Sequence, residues 1–81
     1  MEYVARTPQQ LGQVLKSCRK HRGLTQSAAG AKVGLKQSTI SVIEEHDAKA
    51  TVATLYKALS ALGLELVLRD KLPPEIRTGE W

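Results

Sequence analysis

Phenylalanine is absent from the 81-residue chain, and tryptophan, methionine and cysteine occur once each. Without Phe the core has to be built from Leu, Val, Ile and Ala, which suit close packing of short helices. A lone Cys18 excludes an internal disulfide, and no paired-cysteine metal pattern exists. Cys18 falls on an apolar helical stripe and reads as a core residue rather than a reactive thiol. His21 and His46 lie far apart with no second ligand pair, so neither a metal nor a cofactor is expected. There is no apolar run of about 18 residues, and residues 1–10 lack a signal-peptide core. The expectation is a cytoplasmic protein, neither secreted nor membrane-bound. No nucleophile elbow, phosphate loop or metal motif places the Ser, His and acidic residues for catalysis, so an enzyme is not expected.

A chain this short has room for one domain and buries only about 60–65% of its unfolded surface, so a second copy or a partner would help stabilise it. The net charge of +4 is unevenly spread. Residues 1–40 hold seven Lys/Arg against the single acid Glu2, whereas residues 41–81 hold five against seven acids. A basic first half and a mildly acidic second half point to two faces with two partners. Alone, a basic run such as residues 16–22 is no more than a solvated helix end.

Thr7-Pro8-Gln9-Gln10 predicts a helix start, with Thr7 as N-cap, Pro8 at the first helical position and Gln10 closing a capping box. Leu11, Val14, Leu15 and Cys18 share a stripe, and Gly23 ends the helix after Arg19, Lys20 and Arg22. Thr25 caps a second helix running to about Val33, and a third begins near Gln37 with Ile40 and Ile43 on one side. Residues 46–50 read as a loop. Thr51 caps a fourth helix with Leu55, Ala58, Leu59 and Leu62 inward and Gly63 as its stop.

Beyond Gly63 the period changes. Leu64, Leu66 and Leu68 alternate with Glu65, Val67 and Arg69, which predicts a half-buried strand. A lone strand leaves its backbone groups unpaired. Tyr3-Val4-Ala5 is too short a mate, so the same strand from a second copy is expected, pairing antiparallel about a two-fold axis. Leu64, Leu66 and Leu68 are thus the dimerisation residues. The predicted layout is an N-terminal arm at 1–7, a helical domain at 8–63, the strand at 64–69 and a flexible tail at 70–81. The fold class is all-α, with four to five helices plus that one strand.

Residues 24–44, LTQSAAGAKVGLKQSTISVIE, place a short helix, a turn at Gly34 and a second short helix in sequence. Ala29, Val33, Leu35, Ile40 and Ile43 pack the two together. Lys36, Gln37, Ser38, Thr39 and Ser41 are expected to face away. All are small or hydrogen-bonding and none is acidic, which suits base edges and phosphates in a major groove. Taken singly, each is more commonly just a polar solvent residue. Gln37 opens the reading helix, and its amide can bond adenine N6 and N7 together. Lys36 is a phosphate or guanine contact, Ser38 and Thr39 reach bases or phosphates, and Ser41 is a weaker phosphate candidate. Val42 either touches a thymine methyl or packs elsewhere.

This stretch resembles the helix-turn-helix of the Cro-like, XRE-type phage repressors over roughly residues 8–63, with the Thr-Gln start, the Gly turn and the final Ile-Glu as its marks. Gly30 departs from the Ala usual there and would weaken the helix by about 1 kcal/mol. More narrowly, Gly34 to Ser41, the following strand and the ending Glu80-Trp81 resemble the HipB antitoxins. That resemblance implies a homodimer that represses its own toxin-antitoxin operon at a palindromic operator and binds a HipA-like serine/threonine kinase toxin. The phage-repressor resemblance implies that Gln26 contacts phosphate and braces Gln37. It also implies that Arg19 and Glu44 pair to orient the reading helix; read as solvated residues, the same pair would contribute only about 0–1 kcal/mol. Trp81 is either a docking anchor for the partner or a terminus without a role. Two other functions fit the residues: a free-standing phage-type repressor, and a protein-interaction module that uses the helix-turn-helix as scaffold.

Overall fold

The computed structural model describes residues 2–45 and 50–71. His46, the rest of the expected loop to Lys49, and residues 72–81 with Trp81 lie outside the described residues. Among the described residues there are four helices: α1 Pro8–His21, α2 Gln26–Ala31, α3 Gln37–Glu44 and α4 Val52–Ala61. α2 packs on α3 and α4, and α1 packs on α3. Helix α2 stops at Ala31, two residues earlier than expected. Val33 is only half-buried and stays outside the core cluster.

Threonine starts three of these helices. Thr7, Thr25 and Thr51 each accept a hydrogen bond from the backbone N–H three residues on, at 3.1, 3.0 and 3.1 Å. Each therefore satisfies one of the N–H groups that a helix start leaves without a partner. The capping box at α1 is displaced by one residue. Gln10 Oε1 accepts from the Arg6 N–H at 2.6 Å, so its side chain ties the preceding arm to the helix.

One device ends α1, α2 and α4: a Gly-Leu step. At Gly34 the backbone turns through φ +71°, a region closed to most side chains, and the Leu35 N–H then reaches back to the Gly30 carbonyl at 2.8 Å. Leu24 and Leu64 follow their glycines in the same way. All three leucines fold back onto the core. That core consists of Leu15, Cys18, Ile40, Ile43, Ala58, Leu59 and Leu62, and Cys18 is buried in it as expected.

Gly30 has a different meaning from the one its sequence position suggested. A Cβ there would press into the Leu35 carbonyl oxygen, 3.1 Å from the Leu35 carbonyl carbon and 3.3 Å from Ile40 Cγ1. The missing side chain lets the turn close onto α2. The helix propensity lost at Gly30 is thereby set against tighter α2–α3 packing.

No strand occurs among the described residues; residues 64–70 run on without helical or strand pairing. A strand is defined by its ladder, and no other described segment forms one with these residues. Leu64 leans on the core, but Leu66, Val67 and Leu68 are 43%, 68% and 90% exposed. The expected half-burial of Leu66 and Leu68 is thus not supplied by the described residues.

Candidate nucleic-acid interface

Helix α3 buries Ile40, Ile43 and Glu44. At 100° per residue the opposite side is centred on Ser38 and Val42, with Ser41 and Gln37 along one edge and Thr39 along the other. Lys36, Gln37 and Ser38 are exposed, whereas Thr39, Ser41 and Val42 are half-buried. The outward face is therefore narrower than the five residues read from the sequence, and its fully open end is the N-terminal one. Val42, half-buried, lies on the helix side opposite Ile40 and Ile43.

The N-terminus of α3 stands apart from the other three. Its N-cap is Lys36, in extended conformation and without any side-chain hydrogen bond to the helix. The helix start keeps free N–H groups beside an exposed lysine and no acidic residue in its first turn. Such an end favours an anion through both its N–H groups and its dipole.

Behind this face a chain of polar side chains connects three helices. Arg19 on α1 donates from Nε to Glu44 Oε2 at 2.6 Å and from Nη2 to Glu44 Oε1 at 3.1 Å. Its Nη1 donates to the Leu24 carbonyl at 2.8 Å. Glu44 Oε1 also accepts from Gln26 Nε2 at 3.0 Å, and Gln26 Oε1 accepts in turn from Gln37 Nε2. The far end of α3 thus fixes the side chain at its near end, through α2. Gln37 retains one N–H and its carbonyl oxygen, the donor and acceptor that an adenine edge requires.

The Arg19–Glu44 pair is a buried one, with side-chain exposures of 9% and 3%. Burial pushes the Glu44 carboxyl up, but the hydrogen bonds from Arg19 and Gln26 and the charges of Arg19 and Lys16 outweigh it. The net result lies below the ordinary glutamate value. Arg19 is pushed up, because its hydrogen bond to Glu44 exceeds the opposing effect of burial. Both groups are ionised and paired, not solvated separately.

Sequence reasoning missed three members of this arrangement. The Leu24 carbonyl and the Gln26–Glu44 bond link positions whose contact no periodicity announces. Gly12, buried on α1, lies against the C-terminal carbonyls of α3. A glycine amid an otherwise good helix pattern was its only signal. Among the described residues no cluster of His, Cys, Asp or Glu is arranged to hold a metal, and no helix is long and apolar enough to cross a membrane.

Comparison with known proteins agrees with this geometry. The helix-turn-helix family model matches residues 15–68. Antitoxin HipB of Escherichia coli is 39% identical over 64 residues, spanning 79% of this chain and 73% of HipB. Antitoxin HipB of a second Escherichia coli strain is 38% identical over 64 residues, spanning 79% and 68%. Among solved structures, the HipB chain of a HipA-HipB-O2-O3 complex superposes with a TM-score of 0.79 at 35% identity, covering 89% of this chain and all of that one. The HipB chain of a HipB-O4 20mer complex gives the same TM-score, identity and coverage.

Proposed function

This chain belongs to the helix-turn-helix family and, within it, to the HipB-like antitoxins, and from that premise we propose that it is a dimeric operator-binding repressor of its own toxin-antitoxin operon. Its second partner is a HipA-like serine/threonine kinase toxin, and it works in the cytoplasm, at the nucleoid when on its operator, by binding rather than catalysis. One observation carries the DNA reading: Gln37 stands exposed on an acid-free helix start, its amide held by Gln26 with one N–H and the carbonyl oxygen left over. Lys36 and the uncapped N–H groups of α3 take a phosphate, Gln26 a neighbouring phosphate, and Ser38, Thr39 and Ser41 line the rest of the contact. A two-fold dimer through Leu64, Leu66 and Leu68 presents two such helices to a palindromic site.

Replacing Gln37 with Ala tests this directly. Operator affinity, measured by fluorescence anisotropy, is expected to fall by about 1–3 kcal/mol while binding to unrelated DNA barely changes. An equal fall on both DNAs would reduce Gln37 to a general surface contact and overturn its reading role.

Trp81 anchors the tail on the toxin, since an indole filling a partner's pocket is a favoured hot spot. Deleting residues 73–81 is expected to weaken co-purification of the kinase in a co-expression pull-down and to leave operator affinity unchanged. Lost DNA binding in that truncation would refute the division of labour between tail and helix-turn-helix.

A further inference from the structure

Residues 64–70 carry two unlike faces. In extended chain Leu64, Leu66 and Leu68 share one side, and Glu65, Val67 and Arg69 the other. Leu64 rests on the core, whereas the apolar side chains beyond it are uncovered. We propose that a second copy of this chain pairs antiparallel with this segment about a two-fold axis through Val67, so that Glu65 of each copy faces Arg69 of the partner subunit. The inference rests on the dimer reading above and deepens it by fixing the register and the contacts that select it.

Parity removes half of the registers. Residues directly opposite one another in an antiparallel pair project to the same face. An axis midway between two residues would put the leucines of one copy opposite the Glu-Val-Arg face of the other, turning one leucine row away from the core. The axis therefore passes through a residue.

Charge then separates the remaining choices. An axis at Glu65 sets two carboxylates directly opposite each other, which is destabilising. An axis at Leu66 places Glu65 against Val67 of the partner subunit, and an axis at Leu68 places Arg69 against the same residue. Both leave a charge facing an isopropyl group. The axis at Val67 gives two Glu-Arg pairs, two Leu66–Leu68 pairs and a Val-Val contact at the centre, and it sets a charge against an apolar side chain only at the two ends of the ladder, where Leu64 meets Asp70 of the partner subunit. It also lies at the midpoint of residues 64–70, so every residue of that segment is paired. Within one chain Arg69 Nη1 already meets Glu2 Oε1 at 3.1 Å, in a pair 62% and 82% exposed. A guanidinium has five N–H donors, so this exposed contact leaves it able to take a second carboxylate.

Single cysteines placed at 66, 67 and 68 in the full chain read the register under mild oxidation. Val67→Cys is expected to form a disulfide-linked dimer. Leu66→Cys and Leu68→Cys are expected not to, because each would lie diagonally from its copy, about 7–8 Å away and beyond disulfide reach. The native Cys18 is buried and does not compete. Glu65→Arg and Arg69→Glu are each expected to weaken the dimer roughly tenfold by native mass spectrometry, since each reverses two cross-strand pairs. The double variant regains wild-type affinity, and the two single variants, when mixed, form the heterodimer in preference to either homodimer. Cross-linking at 66 or 68 instead of 67, or a double variant no tighter than the singles, overturns the register. A dimer that cross-links at none of the three overturns strand pairing, and a monomeric wild type overturns the dimer reading beneath it.

Discussion

An Arg19→Met variant is expected to unfold about 3–5 kcal/mol more readily than the wild type at neutral pH, because it leaves the Glu44 carboxylate buried without its cation. That is a large part of the 5–15 kcal/mol that holds a typical small domain together. Methionine conserves most of the side-chain volume, so the loss reports charge rather than a cavity. Urea titration followed by circular dichroism measures it, and a change below about 1 kcal/mol would show that the pair behaves as an exposed one. Acid distinguishes the two proteins further. In the wild type the folded-state pKa of Glu44 is depressed. Its contribution is therefore present above about pH 4.3 and is lost as pH falls through the lower folded value. In the variant, burial acts without the guanidinium and raises the pKa, so the penalty is full at neutral pH and relieved as pH falls. The stability gap should narrow between about pH 7 and about pH 4. Operator affinity should fall as well, since Glu44 holds Gln26 and Gln26 holds Gln37.

Gly12→Val is expected to cost about 3 kcal/mol, the upper end for overpacking a tight contact. A Cβ at this position would press into the Glu44 carbonyl oxygen, 3.0 Å from the Glu44 carbonyl carbon and 3.2 Å from the Ile43 oxygen. All three are backbone atoms, so no rotamer change relieves the clash. Either α1 moves off or α3 rotates, and the second response turns the reading face. Gln13→Val supplies the control, placing the same new side chain at the exposed neighbouring position. It is expected to fall within about 0.5 kcal/mol of wild type. Equal stability of the two variants would mean that α1 and α3 are further apart than this packing requires. If Gly12→Val folds but binds operator weakly, the fault lies in the angle of α3.

Much of the helical framework was legible because its signals are local. Thr7, Thr25 and Thr51 are small hydroxyl residues placed just before good helix sequence, and each caps within three residues of itself. Gly23, Gly34 and Gly63 adopt the positive φ that a helix stop requires. Leu15, Cys18, Ile40, Ile43 and Leu59 lie on stripes whose period is set by the helix itself. The places where reading along the chain fell short involve distances that period does not encode. Thr39 and Ser41 are half-buried because the amount of α3 that α1 and α2 cover depends on how closely they approach. Gly30 looked like a weakened helix and is a point of contact between a turn and the helix before it.

The sequence by itself determined which residues could speak to DNA: a basic first half, and a short helix with Gln, Ser and Thr outward and no acid among them. It also raised the expectation that residues 64–69 pair with a second copy, since they alone have period two. Tertiary structure decided which of those side chains are held in place. Arg19, Gln26, Gln37 and Glu44 become one connected chain only when α1, α2 and α3 bring positions as far as 25 residues apart within hydrogen-bond distance. A hydrogen bond needs its partners within about 3 Å, and linear spacing carries no information at that scale once three helices intervene. The close approach at Gly12 was decided in the same way, because a side chain that is absent has meaning only against the surface it lets in.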